Sequence, residues 1–329
     1  MPNWPNNNSS FMPMLFNELL ESDFLPLILV ITALLIERVL PWPEKYHPLT
    51  LFRLIAANLA KKVNPSKPRS STQRRISGSL SIIILLLPML AILIFYEFIA
   101  QFPIFLELLM LVIALQFQTV VRQFKWTQRS IKQDKKVLAR QHLSQIVLRD
   151  TNNLSPIGLG KAGIESILSR FFYQQFAVIL WFVAFGGLAA LTIRLLFELS
   201  QSWNTKLSHN RDYGLPVATL CKLAYAIPGI IYGFLFALGY GFVGTIRAMA
   251  KRPKSLLPHY YLKLIVAGSM GLQLGGPVMY QGVKKRFAKV GATREVRFDD
   301  MNRALTAIYQ TLLILITSIF IFISIRLNM

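Results

Sequence analysis

Apolar runs alternate with polar segments along the whole chain of 329 residues, at positions 24–39, 80–99, 104–121, 171–193, 223–243 and 311–325. With their flanks these runs approach the roughly 20 residues that carry a helix through hydrocarbon. The pattern therefore predicts an all-α, polytopic helical membrane protein with about six apolar spans. A further stretch at 259–274 is too short and too mixed to span. A polar segment, 1–23, precedes what reads as a single integral membrane domain over 24–329.

The segments between the runs have patterns of their own. Residues 49–60 show helical apolar spacing, and 132–147 reads as a surface helix of mixed charge, so amphipathic helices are expected beside the membrane. Gln101-Phe102-Pro103 makes a tight turn between two runs, and Gly186-Gly187 at the centre of the fourth permits close helix approach. The first run closes on Glu37-Arg38, read either as an interfacial anchor or as a polar contact inside a bundle.

Charge then orients the pattern. Charged residues are 16% of the chain, well below the roughly one quarter of a soluble domain. Even so, 36 Lys and Arg face 15 Asp and Glu, a net charge of +21. The basic residues concentrate in segments 41–79, 122–170 and 246–305, all on one side of a six-span layout. The positive-inside rule makes that side cytoplasmic and the lipid bilayer the natural partner of the charge. No aromatic-basic RNA-binding motif is present, so no nucleic-acid partner is expected. Cys221 is the sole cysteine and the four histidines are dispersed, which excludes intrachain disulfides and a Cys/His metal cluster.

Against this scarcity of acids, the stretch 149–214 stands out, with Asp150 and Glu165 before the fourth run and Asp212 after it. A six-span layout places Asp212 on the opposite side from the other two. Either these acids do not share a site, or the run at 171–193 is re-entrant and buried in protein.

The stretch resembles the CobD/CbiB family of cobalamin-biosynthesis membrane proteins. The resemblance is carried by Arg149-Asp150-Thr151, Glu165-Ser166, Trp181, Arg194, Arg211-Asp212-Tyr213-Gly214 and Ile227-Pro228. His47-Pro48 with Arg53, Leu274-Gly275-Gly276-Pro277, Tyr280 and Gly282 extend it in order over most of residues 25–325. It implies a bacterial inner-membrane enzyme, a ligase-like adenosylcobinamide-phosphate synthase that joins adenosylcobyric acid, a corrinoid, to an aminopropanol phosphate. ATP and Mg²⁺ are the cofactors so implied. Asp150, Glu165 and Asp212 become candidate catalytic groups, with Asp150 and Glu165 also candidate metal ligands. Arg149, Arg194, Lys206 and Arg211, with Gly275 and Gly276, become candidate substrate-binding positions.

The chain departs from the family pattern where acids and amides are expected. Those positions read Ser169-Arg170, Tyr173-Gln174, Phe197, Ser200 and Cys221-Lys222, with Tyr225 and Ile230 beyond. A site stripped of those carboxylates holds Mg²⁺ poorly. Glu37-Arg38 is similar to a pair in the AmpE-type inner-membrane proteins, so a non-catalytic regulator that contacts other membrane proteins is the alternative.

Overall fold

The structure is a computed structural model that describes residues 22–40, 42–65, 69–252 and 261–328. Most of the predicted polar N-terminal segment, and His259, lie outside the described residues. Helices dominate: α1 Leu25–Val39, α2 Pro48–Val63, α3 Ser71–Ile99, α4 Pro103–Ala114, α5 Gln118–Lys132, α6 Lys136–Ser144, α7 Pro156–Phe171, α8 Ala177–Ser202, α9 Leu215–Ala224, α10 Ala226–Tyr240, α11 Phe242–Ala250, α12 Tyr261–Met270 and α13 Asp299–Leu327. The expected amphipathic segments correspond to α2 and α6.

Four helical stretches among the described residues are long and apolar enough to cross a membrane: Ser71–Ile99, Pro103–Lys132, Pro156–Ser202 and Asp299–Leu327. A fifth arises if α9 and α10, bent by 53° at their junction, count as one. The first predicted span is α1, whose 15 described residues reach about 22 Å, short of the ~30 Å hydrocarbon core. Among the described residues, four or five stretches are thus long and apolar enough to cross, against the six expected.

The bend between α9 and α10 has a local cause. Pro228 has no N–H to give the carbonyl of Ala224, four residues back. The indole Nε1 of Trp181 donates to that carbonyl instead, at 3.1 Å.

The decisive feature is a reversal at Gly186. About 30 Å of straight helix would separate Tyr173 from Ile193. Yet the hydroxyl of Tyr225 donates to the carbonyls of both, at 3.2 and 3.0 Å. The rings of Tyr173 and Phe197 also stack, with centroids 5.1 Å apart. The chain therefore folds back on itself, and Gly186 makes the turn with φ 80° and ψ −173°, a conformation open essentially to glycine alone. A Cβ on Gly187 would lie 3.0 Å from the carbonyl oxygen of Glu107, so both glycines are needed at the tip. Residues 171–193 are thus not a straight crossing, and the two ends of the hairpin return to the same face. A single π-helical turn of five residues, Phe172–Phe176, widens the ascending arm and places Tyr173 against Tyr225.

Short strands were not expected. β1 Gln273–Gly275 pairs with β4 Lys289–Gly291, and β2 Val278–Tyr280 with β3 Val283–Lys285, both antiparallel. The inner hairpin turns through Gln281 and Gly282, both with positive φ, as a two-residue turn of the primed kind requires.

Replacing Gly186 with Ala forces an L residue into this backbone state and sets a Cβ 3.0 Å from Glu107 Oε1. A loss of about 1–3 kcal/mol is expected, read as a lowered thermal midpoint in detergent. A midpoint within error of the wild type would argue against the reversal.

Candidate functional site

Glu165 lies in the third turn of α7, a helix started by Pro156 and by the Ser155 hydroxyl, which accepts from Gly158 N–H at 3.2 Å. Its carboxylate is buried, so it requires partners. Arg149, on the loop before α7, pairs with Oε2, and Lys263 of α12 reaches the same oxygen at 3.4 Å. Oε1 accepts the backbone N–H of Gly275 at 2.6 Å. Gly275 and Gly276 both have positive φ, and a Cβ on Gly275 would lie 2.2 Å from the carbonyl oxygen of Ala288.

More cations crowd this carboxylate than it can neutralise. Lys161, one turn earlier on α7, has its ammonium 3.9 Å from the position of a Cβ on Gly276. Lys206, on the connector that follows the hairpin, sits 5.9 Å from the ring centre of Tyr280, and its carbonyl accepts from Lys285. Arg149, Lys161, Lys206 and Lys263 thus surround one carboxylate. The residue keeps solvent contact overall, but poor solvation of its ammonium, with Lys263 and Arg149 nearby, lowers the pKa of Lys206 to about 8. Beside the basin runs a narrow, mostly apolar cleft walled by Leu168, Tyr232, Leu262, Val266 and Leu274. An excess of cations beside an apolar wall suits a ligand with an anionic head and an apolar body.

The other candidate residues divide between the basin and three other places. Asp150 holds the inner hairpin: its backbone N–H donates to Met279 O at 3.0 Å, and its carboxylate accepts from Gln281 and Gly282 N–H at 3.2 and 2.9 Å. Asp212 pairs with Arg75 at 3.4 Å, with exposed Arg211 beside it. Arg194 is fully buried, pairs with Glu198 one turn on, and donates through Nε to Ala114 O at 2.9 Å. Glu198 is shared with Arg53 at 2.8 Å. Beside this network His47 caps α2 by accepting from Leu49 N–H at 3.2 Å. Burial, with Arg194 and Arg53 nearby, pushes its pKa down to about 4, so it is a neutral cap.

The expected set is therefore brought together only in part: Arg149, Glu165, Lys206, Gly275 and Gly276 share the basin, while Arg194, Asp212 and Arg211 do not. Among the described residues no three His, Cys, Asp or Glu side chains could jointly hold a metal ion. Asp150 is engaged by the hairpin turn and Glu165 by Arg149 and Lys263, so this donor set does not fit a Mg²⁺ held by the protein. Sequence reasoning missed Lys161 and Lys263, and named Tyr280 only among the residues that carry the resemblance. For Lys263 a signal existed, a lone cation within an apolar stretch.

Glu37 and Arg38 divide the two readings given to them. Arg38 is exposed, while Glu37 is buried and accepts the N–H groups of Phe117 and Gln118 at 2.5 and 2.9 Å. Those are the free N–H groups where the helix restarts after Ala114.

A family model described as CobD/Cbib protein matches residues 30–308. The chain is similar to the cobalamin biosynthesis protein CobD of Chromobacterium violaceum, 25% identical over 289 residues that cover 85% of this chain and 90% of the relative. The protein of that name from Brucella suis biovar 1 is 26% identical over 306 residues, 87% of this chain and 93% of the relative. That from Stutzerimonas stutzeri is 24% identical over 259 residues, 77% and 83% of the two chains. No solved structure matches.

Lys206 gives the basin a pH dependence of definite sign. Its ammonium is charged below about 8 and neutral above, so affinity for an anion falls as pH rises through that value. Pyrophosphate binding to the purified protein, followed by calorimetry from pH 7 to 9, is expected to weaken over that window. In Lys206→Arg the affinity should stay flat, since guanidinium does not titrate there. Equal slopes in the two proteins would remove Lys206 from the basin.

Proposed function

The chain belongs to the CobD/CbiB family, and from that membership we propose that it forms an amide bond between adenosylcobyric acid and an aminopropanol phosphate. It is then a cobalamin-biosynthesis protein of that type, a multi-pass protein of the bacterial inner membrane with residues 24–329 as one integral domain. The observation that carries this reading is the cation-rich basin around Glu165, which suits the phosphate of the smaller substrate.

The chemistry asks two things of the chain's own residues. The phosphate-bearing amine must be held by its charge while its nitrogen faces the acyl carbon, a positioning task worth several kcal/mol of barrier. Arg149, Lys161, Lys206 and Lys263 supply the charge, and the Gly275-Gly276 turn fixes Glu165 beneath them through the N–H of Gly275. Glu165 keeps those cations in place: without it, Arg149 and Lys263 would repel one another across the floor of the basin. ATP, implied by the family resemblance, would supply the activation of the carboxylate. No step is assigned to Mg²⁺, since among the described residues no three His, Cys, Asp or Glu side chains could jointly hold it and Glu165 is ringed by cations. No observation favours the AmpE-type regulator.

Complementation tests the reading. The chain is expressed in a bacterium that lacks its own synthase and is fed cobyric acid, and cobalamin-dependent growth is scored. Growth is expected from the wild type and from Asp212→Asn, and is expected to be lost in Glu165→Ala and Lys263→Ala. Absence of growth from a wild-type chain verified in the membrane would defeat the proposal. Loss of growth in Asp212→Asn, with Glu165→Ala still active, would move the site away from the basin.

A further inference from the structure

The helix pair that carries the second apolar stretch does not stop at the edge of the hydrocarbon. From Pro103 to Lys132 the chain runs as two helices, α4 and α5, with a break at 115–117, and taken together they are long and apolar enough to cross. At about 1.5 Å per residue through the two helices, roughly 20 residues from Pro103 use up a ~30 Å core, which places Arg122 near the boundary. The next two turns, from Arg122 to Arg129, rise about 10 Å and so start within the lipid headgroup layer, roughly 5–8 Å on each side, and end at its outer edge.

The two faces of α5 differ sharply over those turns. Val120, Val121, Gln123, Phe124, Thr127 and Ser130 are buried against the rest of the protein. Arg122, Lys125, Trp126 and Arg129 are exposed on the other face and, with Gln118 and Val121, line a groove of their own. The groove is built rather than incidental. The guanidinium of Arg122 lies 5.7 Å from the ring centre of Trp126, and that ring packs against His142 at 5.2 Å. His142 is fixed in turn by a 3.2 Å contact between its Nδ1 and Gln123 Oε1.

No carboxylate lines the groove. From 118 to 149 the one acid is Asp134, which pairs with Lys136 at 3.6 Å. Among the described residues no ion pair involves Arg122, Lys125 or Arg129. Three cations therefore face outward at headgroup depth around an indole that is 39% exposed. Trp favours that layer because its ring is apolar and its N–H polar.

We infer that the groove of Arg122, Lys125, Trp126 and Arg129 binds the phosphate headgroup of an anionic phospholipid, with the indole against the start of its acyl chains. The depth of the groove argues for a lipid over a free phosphate, which has no apolar part for Trp126 to cover. This site lies on a different face from the Glu165 basin and stands whether or not the proposed reaction is correct.

The test uses the full-length protein in nanodiscs of phosphatidylcholine containing rising fractions of phosphatidylglycerol, followed by gentle release and native mass spectrometry of retained lipid. The wild type is expected to retain phosphatidylglycerol over phosphatidylcholine. A variant carrying Arg122→Gln, Lys125→Gln and Arg129→Gln should lose that preference by on the order of 100-fold, given the contribution of each cation near an anionic surface. The thermal midpoint of each variant in pure phosphatidylcholine checks folding, and Arg122→Gln and Trp126→Ala singly serve if the triple variant is unstable. Equal retention of the two lipids by the wild type, or an unchanged preference in the folded variants, would overturn the inference. So would displacement of phosphatidylglycerol by millimolar inorganic phosphate, which would mark a site for free anions.

Discussion

A single backbone constraint organises this molecule: the chain must reverse at Gly186, in a conformation that a side chain would not tolerate. Glu107 fits against the turn, its carboxylate 3.0 Å from where a Cβ on Gly186 would stand. Because the hairpin folds back there, its connector comes home to the side it left, and Lys206 joins Arg149 and Glu165. Had residues 171–193 run straight, the bilayer would separate those groups. The basin is therefore a consequence of a glycine far from it along the hairpin.

The hairpin also divides the buried charge into two centres of different kinds. Around Glu198 the charges are matched: Arg194 and Arg53 share its carboxylate, Arg53 also reaches Glu44 at 3.4 Å, and Arg194 supplies a donor to Ala114 O. Glu37 does the complementary task at the same helix break by accepting from Phe117 and Gln118. A broken helix in an apolar setting leaves backbone groups that need partners, and these two side chains provide them. Arg194, although it falls in a motif, is fully buried in that centre and stands apart from the basin. Around Glu165 the charges are unmatched, with four cations to one carboxylate, and the centre opens to solvent through Lys206. Matched charge holds a fold together, whereas unmatched charge at an opening invites a ligand.

The helical architecture was legible because apolar periodicity reports it directly. The long runs became helices, and the amphipathic patterns at 49–60 and 132–147 became α2 and α6. The reversal was legible only as one of two alternatives, since Gly186-Gly187 signals close approach without saying whether the chain passes or turns. The paired strands were not legible at all. Each is three residues long, too short for alternation to register, and Gly275-Gly276-Pro277 reads as readily as a helix break. Residue type did not distinguish the acids either. Asp150, Glu165 and Asp212 look equivalent in a sequence, yet one clamps a hairpin, one anchors a cationic floor and one pairs at the surface with Arg75.

The carboxylates lost from the family pattern take a different meaning once Glu165 is seen in place. A site that relies on a protein-held divalent cation needs several free acids, and their replacement would disable it. A site that holds phosphate directly with Arg and Lys needs only enough negative charge to keep its cations together. One buried Glu, gripped by Arg149, Lys263 and the Gly275 N–H, meets that need. Further acids in the basin would compete with any bound anion for its cations. Arg170, at one replaced position, donates to Ile146 O at 2.9 Å and braces the loop that leads to Arg149. At this position the departure from the family pattern supports the basin through its cationic side.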